Sequence, residues 1–300
     1  MEDADLTEMT LEEPQGRVLI IAGSDPSGGA GIQADLKTCA AFGAYGMTAI
    51  TALTVQNTQS VERVELMAPD LVREQALACL TDIGADVIKI GMLGNLAIME
   101  AVAEVLEGAG QDALTILDPV MVATSGDRLM DEDAESYLRE TLLPLADIVT
   151  PNVPEAAALT GMEVEDSDAL REAGDMLLEM GAGAAVMKGG HLSGSMIIDI
   201  LMTSDGIATM TAPRLQSRHT HGTGCTLASA IAANMALGTD IGEAVSTARE
   251  FVFEAIRTAP KLGQGNGPLN HGLALHSEQA ADDSANPFAA LKALKGDADG

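Results

Sequence analysis

The chain has 300 residues, 47% of them hydrophobic, with 45 Asp and Glu against 16 Lys and Arg, a net charge of -29 and only 2% aromatic residues. Such a charge repels nucleic acids and anionic membranes, and the scarcity of aromatic rings removes the platforms on which bases stack. The length suits one α/β domain, and the acid excess with little Lys is the composition of proteins from salt-rich cytoplasm, where screening removes self-repulsion. The three cysteines, Cys39, Cys79 and Cys225, form no CxxC pair, which argues against a disulfide framework or a zinc site and for a reducing cytoplasm. No stretch is long and apolar enough to span a membrane, and residues 1–15 are acidic, the reverse of a signal-peptide start.

Residues 1–16 and 276–300 read as solvated acidic tails, with a short helix open over 287–294. Between them, over residues 17–275, strand and helix patterns alternate. Val18-Leu19-Ile20-Ile21 is an apolar run ending in Gly-rich sequence, as a buried parallel strand does. A helix is predicted over 32–42 and an apolar, β-branched strand over 47–55. Helices over 71–83, 98–106 and 134–143 lead to strands over 87–90, 114–117 and 147–149. Two further helices, 155–159 and 169–180, precede a strand over 184–187. A hairpin follows, with strands 196–202 and 207–211 about the turn Ser204-Asp205-Gly206. The end is helical over 225–237 and 242–258. This order predicts an α/β fold with a mostly parallel central sheet covered on both faces, and a site at the carboxyl ends of its strands.

Five turns fall at those ends. In Gly23-Ser24-Asp25-Pro26-Ser27-Gly28-Gly29-Ala30-Gly31 the glycines let backbone N–H groups approach a ligand; an ordinary strand-to-helix turn is the other reading. In His221-Gly222-Thr223-Gly224-Cys225 the glycines open onto an Ala-rich helix, whose positive end suits a phosphoryl charge and should depress the Cys225 thiol pKa. Asn152 and Glu155 fit either a hydrated magnesium ion beside a triphosphate or plain helix capping. Asp118, before Pro119, is a second acid for metal or a turn former. Lys188 closes a buried strand, where its charge needs an anion or an escape to solvent.

In this order the turns resemble the ribokinase-like superfamily. The run from Ala22 through Gly31-Ile32-Gln33-Ala34-Asp35-Leu36-Lys37-Thr38 is more narrowly similar to the bifunctional hydroxymethylpyrimidine/phosphomethylpyrimidine kinase family of thiamine biosynthesis. So are Gly43-Ala44-Tyr45-Gly46, Thr51-Ala52-Leu53-Thr54-Val55-Gln56-Asn57-Thr58, Lys89-Ile90-Gly91-Met92-Leu93, Thr150-Pro151-Asn152, Glu155-Ala156 and Thr220-His221-Gly222-Thr223-Gly224-Cys225-Thr226. The resemblance implies a three-layer αβα domain using ATP and Mg²⁺ to phosphorylate 4-amino-5-hydroxymethyl-2-methylpyrimidine and then its monophosphate. It places Gly23, Asp35, Gln56 and Met92 on the pyrimidine, with Val120 and Cys225 beside the reacting group. Asn152, Lys188, Thr220, Gly222 and Gly224 would hold ATP, and Asp118 and Glu155 would hold the metal through water. Gly222, Thr223, Gly224 and Lys188 would stabilise the transferred group, with Cys225 as general base where most of the superfamily has Asp.

The acidic tails depart from the family pattern, and no second catalytic domain is expected after Leu275. A homodimer is open, with the strand edge over 196–211 contributing. Two rivals stand beside this expectation: a pyridoxal kinase of the same fold, against which Gln56, Asn57 and Lys188 weigh, and a non-catalytic pyrimidine-binding relative, against which the retained Gly222, Gly224, Asp118 and Glu155 weigh.

Overall fold

The computed structural model describes residues 16–121 and 132–273. The two acidic tails, the helix expected over 287–294 and the boundary at 275 lie outside the described residues. A nine-stranded sheet runs through the domain. Its strands are β1 Arg17–Ser24, β2 Tyr45–Gln56, β3 Val61–Leu66, β4 Val87–Ile90, β5 Leu114–Leu117, β6 Ile148–Val149, β7 Ala185–Met187, β8 Met196–Thr203 and β9 Gly206–Pro213. They lie in the order β3-β2-β1-β4-β5-β6-β7-β8-β9. From β2 to β7 all neighbours pair parallel, while β3, β8 and β9 each add antiparallel pairings at the flanks.

The alternation of side chains along β1 builds both sides of the core. Leu19 and Ile21 point into one layer, and Val18, Ile20 and Ala22 into the other, all at 0–1% exposure. The first layer is covered by α2 Pro69–Asp82, α3 Leu96–Glu107, α4 Glu132–Tyr137, α5 Val153–Thr160 and α6 Ser167–Glu179. The second is covered by α1 Gly31–Ala41, α7 Thr223–Ala236 and α8 Ile241–Arg257. Buried Ala228, Ala230, Ala232 and Ala233 line α7, so a core poor in aromatic residues closes through close backbone approach.

Two elements differ from the expectation. β3 was not foreseen, because Val61-Glu62-Arg63-Val64-Glu65-Leu66 is a half-polar edge strand that pairs antiparallel with β2 after a short turn. The helix expected over 134–143 is α-helical only to Tyr137. It widens into a π turn at Leu138–Leu142 and tightens at Leu143–Leu145, where Pro144 offers no N–H to continue the ladder.

From β1 the chain first adds β2 and β3 on one side, then crosses to add β4 on the other. That reversal opens a crevice at the carboxyl ends of the strands.

Candidate active site

A cleft of about 1340 Å³ follows that crevice. Gly23, Gln56, Met92, Asp118, Val120, Asn152, Glu155, Lys188, Thr220, Gly222, Thr223, Gly224 and Cys225 all line it, so the structure gathers every expected site residue except Asp35 around one space.

The first Gly-rich turn is folded around its own acid. Asp25 is 3% exposed; Oδ1 accepts from the Ser27 N–H at 2.9 Å, and Oδ2 from the Ser27 hydroxyl at 2.9 Å and the N–H groups of Gly29 and Ala30 at 3.2 and 2.9 Å. The Gly28 N–H bonds the Asp25 carbonyl at 3.0 Å. Burial alone would raise the Asp25 pKa, but the contacts from His221, Ser27 and Ala30 hold it below the ordinary carboxylate range. These amides face inward, which favours the ordinary strand-to-helix turn of the two readings. The turn works instead as a rigid wall.

The second turn opens the start of a helix onto the cleft. Gly222 caps α7 in the left-handed conformation, φ 82°, where a side chain would also strike the Gly29 carbonyl. The amides of Gly224 and Cys225 stand in the first helical turn and have no partner within the helix. The Thr223 hydroxyl donates to the Thr220 carbonyl at 2.6 Å and tightens the approach. A Cβ at Gly224 would lie 3.3 Å from Lys188 Nζ and 3.6 Å from Asp118 Oδ2, so these charges border the helix start directly.

Lys188 does not escape to solvent. Its Nζ donates to Asp118 Oδ1 at 2.9 Å and lies 3.8 Å from Glu155 Oε2. Thr150 donates to the same Asp118 oxygen at 2.9 Å. Burial works against charge on Asp118, yet Lys188 and Lys89 keep its pKa below normal. Burial likewise opposes charge on Lys188, and Asp118 and Glu155 outweigh it and raise its pKa. Glu155 is pushed up to about 7 by burial, with Asp118 adding to the shift and Lys188 opposing it. Its Oε2 also accepts from the Asn152 N–H at 2.7 Å while Asn152 Oδ1 accepts from the Glu155 N–H at 2.9 Å, a complete capping box on α5. Capping and cleft lining therefore coexist in this pair. Among the described residues no group of three or more His, Cys, Asp and Glu side chains is arranged to hold a metal. Two carboxylates beside one lysine fit a hydrated magnesium ion carried mainly on phosphates, not a cation caged by protein.

Gln56 and Met92 also line the cleft, and a Cβ at Gly23 would lie 2.9 Å from Met92 Cε. The Thr51 hydroxyl fixes Met92 through its carbonyl at 2.6 Å. Asp35 does not reach this space. It is fully buried, with both oxygens 3.0–3.1 Å from Lys89 Nζ and Oδ1 also accepting from Ser229 at 2.7 Å. The expectation of an Asp35–ligand contact is corrected: the wall residue is Lys89, whose burial opposes its charge but whose pKa is raised by Asp35, Cys225 and Asp118 together. A second correction concerns Cys225. Burial pushes its thiol up to about 12, with Lys89 opposing and Asp35 and Asp118 adding, so the group is protonated at neutral pH despite the helix start.

Lys89 was missed although Val87-Ile88-Lys89-Ile90 carries the same signal as Lys188, a cation inside an apolar strand. The His221–Asp25 contact at 2.8 Å and the Arg249–Asp199 pair at 2.7 Å also line the cleft; their partners lie far apart in the chain and left no local pattern.

Residues 25–270 match the family described as phosphomethylpyrimidine kinase. The hydroxymethylpyrimidine/phosphomethylpyrimidine kinase of Streptomyces coelicolor is 46% identical over 258 residues, covering 86% of this chain and 95% of that protein. The thiamine biosynthesis bifunctional protein ThiED of Geobacter sulfurreducens is 46% identical over 261 residues, 87% of this chain; the chain spans about half, 53%, of that longer relative. Among solved structures, the pyridoxal kinase of Bacillus subtilis in its ADP complex superposes with a TM-score of 0.80 at 36% identity, covering 87% of this chain and 99% of that one.

Proposed function

The chain belongs to the phosphomethylpyrimidine kinase family, and from that premise we propose that it phosphorylates 4-amino-5-hydroxymethyl-2-methylpyrimidine with ATP, and then the resulting monophosphate. The observation that carries this reading is the meeting of Lys188, Asp118 and the helix-start amides of Gly224 and Cys225 at one point of the cleft. Gln56, Met92, Gly23 and Val120 surround the pyrimidine, while Asn152, Lys188, Thr220, Gly222 and Gly224 hold the triphosphate. The acceptor oxygen bonds to the terminal phosphorus of ATP as the bond to the ADP oxygen breaks. Lys188 and the Gly222-to-Cys225 turn hold the negative charge on the transferred group throughout. Mg²⁺, when bound, neutralises phosphate charge, and Asp118 and Glu155 are the side chains that would position it through water. Cys225 is the group beside the acceptor that takes up its proton, and does so only in the fraction of molecules whose thiol has ionised. Asp35 acts from behind the wall, by keeping Lys89 in place.

Two wider features belong to the same reading. The acid excess and the unpaired thiols support a salt-rich, reducing cytoplasm. Exposed Met196 and Ile207 on the β8–β9 hairpin support a homodimer.

Likeness to a pyridoxal kinase favours pyridoxal as a second acceptor. ADP release measured with the hydroxymethylpyrimidine, its monophosphate and pyridoxal tests both readings. We expect the two pyrimidines to be turned over, and pyridoxal more slowly; faster turnover of pyridoxal overturns the assignment while leaving the fold intact.

A further inference from the structure

Asp25 and His221 stand 196 positions apart in the chain and meet in the cleft wall, with His221 Nε2 at 2.8 Å from Asp25 Oδ2. An ionised carboxylate only accepts hydrogen bonds, so His221 carries its proton on Nε2. The nearer end of the Gln56 side-chain amide lies 3.4 Å from that same ring nitrogen. An N–H there would point one donor at another. The amide's oxygen and nitrogen are interchangeable in shape, and their assignment follows from the hydrogen-bond network. The oxygen of Gln56 therefore belongs beside His221. Its NH₂ group then meets Thr54 Oγ1 at 3.2 Å, and the Thr54 hydroxyl passes its own proton to the Ser24 carbonyl at 3.0 Å. Each donor finds an acceptor in this arrangement. With the amide reversed, one contact sets donor against donor, and the Thr54 proton is claimed by two acceptors.

The packing holds the pair in place. A side chain at Gly29 would collide with the His221 ring, and one at Gly222 with the Gly29 carbonyl. Neither Asp25 nor His221 is needed for charge at the anion site. Their geometry bears on Gln56, and through it on the ring of the acceptor.

An aminopyrimidine offers an amino donor beside a ring-nitrogen acceptor, the pattern that a side-chain amide pairs with in two prongs. A hydroxypyridine of the pyridoxal type lacks that adjacent pair. We infer that Asp25 and His221 are positioning residues that fix the donor and acceptor ends of Gln56, and so set the preference for an aminopyrimidine over a hydroxypyridine. This rests on the functional reading above.

The test is a double-mutant cycle of His221→Ala and Gln56→Ala, with steady-state kinetics on the hydroxymethylpyrimidine and on pyridoxal. His221→Ala should raise KM for the pyrimidine about tenfold, as expected for one lost orienting contact, and leave KM for ATP within about twofold. Pyridoxal kinetics should hold. The double variant should be no worse than Gln56→Ala alone, because His221 acts through that residue. His221→Gln keeps an N–H toward Asp25 and should recover most of the loss. Should His221→Ala fail to fold, Asp25→Asn carries the same cycle. Additive losses, an equal loss on both acceptors, or an unchanged pyrimidine KM in a folded variant overturns the inference alone. A native chain that turns over pyridoxal but not the pyrimidine overturns the functional reading with it.

Discussion

Cys225 is half-buried near Lys89, Asp35 and Asp118, and removal from water pushes its thiol up to about 12. The positive end of a helix dipole is worth only about 0.3–2 kcal/mol, less than the cost of burying a thiolate among carboxylates. Turnover that runs through the thiolate should therefore climb with pH, since the proton must first leave. We expect kcat/KM for the pyrimidine to rise by about tenfold per pH unit between pH 8 and 10, the slope of a single ionisation whose midpoint lies above that window. In Cys225→Ala the slope should vanish and kcat should fall about 10²-fold or more, the usual worth of a general base. A flat native profile over that range would remove Cys225 from the base role. Lys188 and Asp118 were legible as charged residues at strand ends, whereas the sign of the Cys225 shift was not. That sign depends on which carboxylates the fold places nearby.

Strand ends and helix starts carry the site, and they were read well where pattern is strongest. β4 and β5 fall on the residues that their apolar runs predict, Val87–Ile90 and Leu114–Leu117. β3 escaped because an edge strand is apolar on one side only. Within these elements, the buried group formed by Lys89 of β4, Asp35 of α1 and Ser229 of α7 ties the sheet to two helices directly behind the cleft. Both charges are fully buried, so removing one strands the other. Lys89→Met should cost about 3–5 kcal/mol in urea unfolding, the range for breaking a buried pair. The double variant Lys89→Met with Asp35→Asn should recover most of that loss, because Asn still accepts from Ser229. A double variant as unstable as Lys89→Met would show that packing, not the stranded charge, sets the cost.

At the scale of the whole molecule, the net charge of -29 repels itself, and surface pairs such as Arg17–Asp86 offset little of it. Raising KCl from 0.1 M to 1 M shortens the screening length from about 10 Å to about 3 Å. The thermal midpoint should rise over that interval, and an unchanged or falling midpoint would count against adaptation to salt. The sequence by itself determined the alternating α/β order, the parallel centre of the sheet and the placing of glycine turns at strand ends. Those features follow from periodicity and from the backbone freedom of glycine, which are local. Only the tertiary structure decided that the amides of the first turn are spent on Asp25, that Asp35 stands behind Lys89, and that His221 meets both Asp25 and Gln56. Hydrogen-bond partners and dielectric surroundings are set by residues distant in the chain, and no local pattern encodes them.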